Sequence, residues 1–199
     1  MPLIDLIRHG ETEIRGLLLG RTDIALSESG WRQFEQQTAG GVWTTVVTSP
    51  LRRAREPAEK LAQLRHLPLR IDADWAEMDF GNWDGCPLAE LRADPTIAME
   101  LDTFYRSAEA PRAPEGESWL EFRARVTRAL HRLLDTPVQG STLVATHAGP
   151  MRAVLSAACD VPFERTWAFR IGYGTRVTLR VEREDDVRLW GEIIGIVQP

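Results

Sequence analysis

Cysteine is nearly absent from this 199-residue sequence: only Cys86 and Cys159 occur. Their spacing fits neither a metal site nor a disulfide framework, so two lone reduced thiols are expected. Long hydrophobic runs are missing as well. No stretch approaches the ~18 apolar residues of a membrane span. The N-terminus lacks the basic segment and long apolar stretch of a signal peptide. A cytoplasmic protein without membrane contact is therefore expected. Positive charge is in deficit: Lys+Arg number 24 against Asp+Glu 29, a net charge of −5. That balance argues against non-specific binding to nucleic acid or to an anionic membrane. Repeats of solenoid period and low-complexity segments are lacking too. What remains is an ordinary globular composition, 43% hydrophobic and 27% charged. Its length suits one domain over residues 1–199.

The stretch richest in chemistry is 3–12, LIDLIRHGET. Its apolar part, Leu3, Ile4, Leu6 and Ile7, has the length and β-branched character of a buried strand. A strand buried on both faces belongs to a parallel sheet covered by helices, and ligands bind beyond the carboxyl ends of such strands. Arg8 and His9 stand where this strand should end. Residues 141–149, STLVATHAG, repeat the grammar: an apolar run, then His147, then a glycine at a helical start. Residues 45–53, TVVTSPLRR, end in a turn followed by Arg52 and Arg53. If these runs are neighbouring parallel strands, two histidines and two or three arginines emerge at one sheet edge. Helix N-termini there add unpaired N–H groups and positive dipole ends. The pattern describes an anion site with a nucleophile inside it.

Between these segments, residues 16–23 read as a loop whose Arg21 faces the site. A helix is predicted from Ser27 to about Gln37, with Trp31 and Phe34 on its core face. A second runs from Pro50, at its first position, to about Leu64, kinked at Pro57. Residues 69–71 read as a short edge strand. Residues 75–85, rich in glycine, acid and aromatic side chains, suit an active-site wall. Glu77, Asp79 and Asp84 are its candidate acids, and spacing alone does not choose among them. Residues 87–105 read as two helical pieces broken at Asp94-Pro95, and 107–116 as a loop that helps cover the site. Ser118 and Glu121 form a capping box. The helix behind it buries Trp119, Phe122, Val126, Ala129 and Leu133. Residues 151–158 form another helix. Residues 168–197 suggest two or three edge strands, with Asp185-Asp186 as the turn between 179–182 and 187–195. His66 and His131 are expected in solvent, and neither joins a metal-ligand pattern.

Five motifs occur in a telling order: LIRHGET, TSPLRRA, EMDFGNWDG at 77–85, PEGES at 114–118, and ATHAGPMRA around His147. Through them the sequence resembles the histidine phosphatase superfamily, the phosphoglycerate-mutase-like proteins, over residues 3–153. GRTDIALSESG and EMDFGNWDG are most similar to its α-ribazole phosphatase branch, which acts late in cobalamin biosynthesis. The resemblance implies an α/β fold, a three-layer α/β/α sandwich with a mostly parallel central sheet and an antiparallel edge. It implies a phosphomonoesterase that acts on a small phosphate monoester and needs no metal or cofactor. It selects Glu77 among the acids and Arg53 over Arg52. Thr12, Arg21, Glu117 and Ala148 fall within the matched motifs as substrate contacts. Ile14 and Arg15 stand where many members carry tryptophan and asparagine, and Thr12 and Arg21 are the residues placed to compensate.

The chemistry follows from the residue types. A phosphate monoester carries about two negative charges near neutral pH, which repel nucleophiles. Arg8 and Arg53 can neutralise them with fork-shaped donors. The same cations disfavour protonation of His9, and a neutral imidazole can attack phosphorus. His147 would stabilise charge on the transferring oxygens. Glu77 would protonate the leaving alkoxide and then deprotonate the hydrolytic water. The competing readings are a broad-specificity phosphatase, a phosphoglycerate mutase, a non-catalytic binder of phosphorylated ligands, and a metal hydrolase using His9 and His147. The oligomeric state stays open, a homodimer included.

Overall fold

The apolar run at the start of the chain forms strand β1 (Leu3–Arg8), with Ile4, Leu6 and Ile7 buried. The computed structural model describes residues 3–136, 140–185 and 187–199. The remaining strands are β2 (Thr45–Thr48), β3 (Leu69–Ile71), β4 (Thr142–Thr146), β5 (Arg176–Arg183) and β6 (Leu189–Val197). They form a six-stranded sheet in the order β3-β2-β4-β1-β5-β6. The first four are parallel to one another. β5 runs antiparallel to β1, and β6 antiparallel to β5. The sheet is thus mostly parallel with an antiparallel edge, as expected. Its register sets Arg8 opposite Thr146. His9 and His147, the next residues along each strand, therefore leave the sheet side by side.

The helices are α1 (Glu28–Thr38), α2 (Arg52–Arg65), α3 (Leu88–Ala93), α4 (Pro95–Arg106), α5 (Trp119–Asp135), α6 (Ala148–Ala158) and α7 (Phe163–Thr166). Alternation along the strands separates two cores. Ile7, Val46 and Leu143 pack against Phe34 of α1 and Ala58 and Leu61 of α2. Ile4, Leu6 and Val144 pack against Phe122 and Val126 of α5 and Met151 and Leu155 of α6. Helices on both faces make three layers, each buried Leu, Ile or Phe contributing about 1.5–3 kcal/mol. The capping box on α5 is present as expected, and α5 buries all five of the residues assigned to its inner face.

Several boundaries differ from the sequence reading. Helix α2 begins at Arg52, not Pro50. The Leu51 carbonyl takes the first N–H groups, from Ala54 and Arg55, while the Ser49 hydroxyl takes the N–H of Leu51. Ser49 to Leu51 is therefore a turn, and α2 runs on through the buried Pro57 to Arg65. Helix α6 begins at Ala148 rather than Met151. Pro150 falls in its first turn, where an N–H would have no intrahelical partner anyway. Trp31 is half-buried, with the Lys60 ammonium 5.1 Å above its ring. His131 is half-buried, whereas His66 is exposed at the left-handed C-cap of α2. The 107–116 loop buttresses the acid-bearing loop instead of covering the site: the Pro114 carbonyl accepts the N–H of Asn82. Asp185 turns the β5–β6 hairpin by accepting the N–H groups of Val187 and Arg188. Asp186 lies outside the described residues. Among the described residues, no helix is long and apolar enough to cross a membrane.

Candidate active site

His9 follows β1 into a turn that is pressed against the start of α1. A Cβ on Gly10 would lie 2.0 Å from the Gly30 carbonyl oxygen, so only glycine fits there. The imidazole is buried, and its Nδ1 lies 2.7 Å from the Gly10 carbonyl oxygen. A carbonyl only accepts, so Nδ1 carries the hydrogen and Nε2 keeps its lone pair. Burial, and then the charges of Arg53 and Arg8, hold the imidazole pKa well below its ordinary value. His9 is therefore neutral at pH 7. The Arg8 guanidinium donates to the Ile171 carbonyl at 2.8 Å and lies 4.2 Å over the ring of Tyr173.

His147 is the N-cap of α6 and is fully buried. Its ring meets that of His9 edge to face, centroids 5.1 Å apart. Nε2 lies 2.8 Å from the Ser49 hydroxyl, and Nδ1 has no protein partner among the described residues. Burial and the charge of Arg53 push this imidazole pKa well down too. Arg53, wholly buried in the first turn of α2, bears electrostatically on both rings. Arg52, the other candidate, points outward and pairs with Glu56 at 2.6 Å.

Arg53 also organises the loop of residues 16–23. It donates to the carbonyls of Thr22 at 2.8 Å and Gly20 at 2.7 Å. Asp84 accepts the N–H groups of Gly20, Arg21 and Thr22 at 2.7, 2.8 and 2.8 Å. One buried cation and one carboxylate thus hold opposite polarities of the same backbone. Asp79 is occupied by the N–H of Gly81. Of the three acids, Glu77 alone lines the cavity beside His9. Its carboxylate accepts the N–H of Met78 at 2.9 Å and of Gly149, in the first turn of α6, at 3.2 Å. Behind it, Arg125 of α5 donates to the Glu77 carbonyl at 2.8 Å and pairs with Glu117 at 2.6 Å.

Arg8, His9, Glu77 and Ala148 line a cavity of about 480 Å³. Its other walls are largely apolar and aromatic, with Leu18, Phe80, Tyr105, Trp119 and Trp167 among them. Arg152 lies there as well, 4.1 Å over the ring of Trp167, its pKa brought down to about 10 by burial and then by Arg8. Arg53 and His147, both wholly buried, are not in this lining, and neither are Thr12, Arg21 and Glu117. The Thr12 hydroxyl is turned inward to the Ile14 carbonyl. Arg21 reaches toward Glu117 at 3.9 Å, and Glu117 is held by Arg125 and the N–H of Asp79. Ile14 is exposed, and Arg15 pairs with Glu11 at 2.7 Å, away from the cavity. Among the described residues, no three His, Cys, Asp or Glu side chains are grouped to hold a metal ion.

Ser49, Arg125, Arg152 and Tyr173 escaped the sequence reading. Arg125 left one signal, since an arginine stands among the apolar stripe of Phe122, Val126 and Ala129. Ser49 left another, a hydroxyl immediately after a buried strand.

Residues 4–192 match the family model of the histidine phosphatase superfamily (branch 1), and the chain belongs to that family. Among its relatives, the uncharacterized phosphatase PhoE of Bacillus subtilis is 40% identical over 162 residues, 78% of this chain and 77% of its own. The adenosylcobalamin/α-ribazole phosphatase of Escherichia coli K12 is 29% identical over 174 residues, 85% of each chain. The bifunctional protein Rv2228c of Mycobacterium tuberculosis is 34% identical over 163 residues, and the matched part is only 43% of its length. The fold is shared with a mycobacterial glucosyl-3-phosphoglycerate phosphatase, with a TM-score of 0.85 at 23% identity over 97% of each chain. It is shared also with the α-ribazole phosphatase of Shigella flexneri, with a TM-score of 0.78 at 23% identity over 96% of this chain and 95% of the other.

Proposed function

We propose that this protein hydrolyses small phosphate monoesters through a phosphohistidine formed on His9. The observation that carries the reading is the 2.7 Å contact from Nδ1 to the Gly10 carbonyl. It leaves Nε2 with a free lone pair, on a ring kept neutral by burial and then by the charges of Arg53 and Arg8. That lone pair forms the N–P bond as the ester P–O bond breaks, and Glu77 gives its proton to the departing alkoxide. Glu77, now a carboxylate, takes a proton from water, whose oxygen displaces His9 and releases orthophosphate. Arg8 and Arg53 supply the positive charge that the oxygens need, with no step assigned to a metal or cofactor. Ala148 is the substrate contact that borders the cavity. Thr12, Arg21 and Glu117 act on the site through the loops they hold.

The leading substrate is α-ribazole 5′-phosphate, in cobalamin biosynthesis. The name of the Escherichia coli relative points to it. The walls formed by Tyr105, Trp119 and Trp167 also suit a leaving group that carries a ring. A compact acid such as 3-phosphoglycerate would leave this apolar surface unfilled, which makes the mutase reading second. The free thiols Cys86 and Cys159 suit a cytoplasmic setting.

The test is phosphate release in excess chelator from α-ribazole 5′-phosphate, 3-phosphoglycerate and a panel of nucleotide and sugar phosphates. Chelator-resistant release that disappears in His9→Ala is expected. Release that survives His9→Ala would overturn the mechanism. Equal, slow release across the panel would remove the α-ribazole assignment and leave a broad-specificity phosphatase.

A further inference from the structure

We infer that Ser49 fixes which nitrogen of His147 carries the hydrogen, making Nδ1 the donor to the transferring phosphoryl group; this rests on the phosphatase reading above. The Ser49 side chain is fully buried. Its Oγ accepts the N–H of Leu51 at 3.2 Å and lies 2.8 Å from Nε2 of His147. A hydroxyl has one hydrogen to give, so only two arrangements exist. If Nε2 carried the ring hydrogen, Oγ would accept twice. Its own hydrogen would then point at no acceptor among the described residues, in a place water does not reach. If Ser49 donates to Nε2, every group on that side of the ring is satisfied. Each arrangement leaves one buried donor without a protein partner among the described residues, the Ser49 O–H in the first and Nδ1–H in the second. The first also strands the Nδ1 lone pair, whereas a phosphoryl oxygen can meet Nδ1–H in the second; the ring hydrogen therefore sits on Nδ1.

Nδ1 is buried and makes no hydrogen bond to the protein among the described residues. A lone pair there would repel a phosphate oxygen, whereas an N–H donates to it. The His9 ring, which receives the phosphorus, is 5.1 Å away, centroid to centroid. Because His147 stays neutral, it has a single N–H, and the position of that hydrogen decides whether the ring helps or opposes transfer. Ser49 touches neither the phosphorus nor the leaving group in this account. It is a positioning residue that acts through His147.

The experiment is long-range ¹H–¹⁵N NMR of the imidazoles in the full ¹⁵N-labelled chain at neutral pH, alongside kinetics with p-nitrophenyl phosphate. In the wild type, His147 is expected as the Nδ1–H tautomer. In Ser49→Ala the Nε2–H form should grow and kcat fall about 10- to 100-fold, with KM within about twofold. Ser49→Thr, which keeps the hydroxyl, should restore both. An Nε2–H tautomer in the wild type would overturn the inference. So would a Ser49→Ala protein that loses kcat without a change of tautomer, because that is a structural role. The wild-type spectrum needs neither turnover nor a folded variant. A chain that released no phosphate from any ester would sink the phosphatase reading while the tautomer could still be read.

Discussion

At Gly149 one added carbon would reach the acid. A Cβ built there lies 2.1 Å from Oε1 of Glu77, and the N–H of the same residue donates to Oε2 at 3.2 Å. Helix α6 would welcome alanine at this position on propensity grounds, but the same Cβ would lie 3.0 Å from Cζ of the buried Phe122, so Gly149→Ala presses on the core as well as on the acid. The expected outcome is a loss of kcat of about 100-fold, the scale of a 1 Å misplacement of a catalytic group. The thermal midpoint should fall modestly as Phe122 gives way, as calorimetry would show. Full kcat in Gly149→Ala would mean that Glu77 does not need the Gly149 N–H to hold it in place. Residues of this kind divide by how they could be read. Arg8, His9, Arg53, Glu77 and His147 were legible because each sits in a motif whose order is itself informative. Ser49 and Arg125 were not, because their meaning lies in contacts across the chain: Ser49 meets a histidine 98 residues away, and Arg125 a carbonyl 48 residues away.

The loop of residues 16–23 is an element held by charge instead of by regular secondary structure. Arg53 takes its carbonyls and Asp84 its amides. In Asp84→Asn one acceptor oxygen becomes an NH₂ group facing backbone N–H groups. The loop should loosen, and Arg53 should lose its anchors. KM for phosphate esters is expected to rise about tenfold. Stability should fall by about 2 kcal/mol, the scale of hydrogen bonds to a charged group, read from the urea midpoint. An unchanged KM would show that Arg53 holds its place without the loop. Sequence alone named Asp84 only as a rival acid, since nothing in its spacing tells which backbone it will clip. Helices and strands were easier. β1 and β4 announce themselves as apolar runs, and α5 as a capped stripe. The starts of α2 and α6 were misplaced because proline marks both a turn and a first helical turn, and only tertiary contacts separate the two.

Across the molecule, two buried neutral histidines tie stability to pH. Both imidazoles lie well below the ordinary value in the folded chain, while the unfolded chain takes up protons near pH 6.5. Below that pH the unfolded state binds protons that the folded state refuses. Their contribution is therefore fully present above about pH 6.5 and declines on acidification, by at most about 1.4 kcal/mol per histidine and pH unit. The melting temperature should drop more steeply between pH 7 and 5 for the wild type than for a His9→Asn/His147→Asn double variant. Equal slopes would mean that the rings are not held neutral.

The strand order β3-β2-β4-β1-β5-β6 has a further consequence for synthesis. The two neighbours of β1 are β4 and β5, which leave the ribosome long after β1. At ~5–20 residues per second, β1 waits on the order of ten seconds before β4 exists. Throughout that interval a largely apolar strand, LIDLIR, is exposed with both hydrogen-bonding edges open, the form in which strands join foreign chains. The arrangement that sets the two histidines side by side therefore leaves the first strand unpaired through most of synthesis.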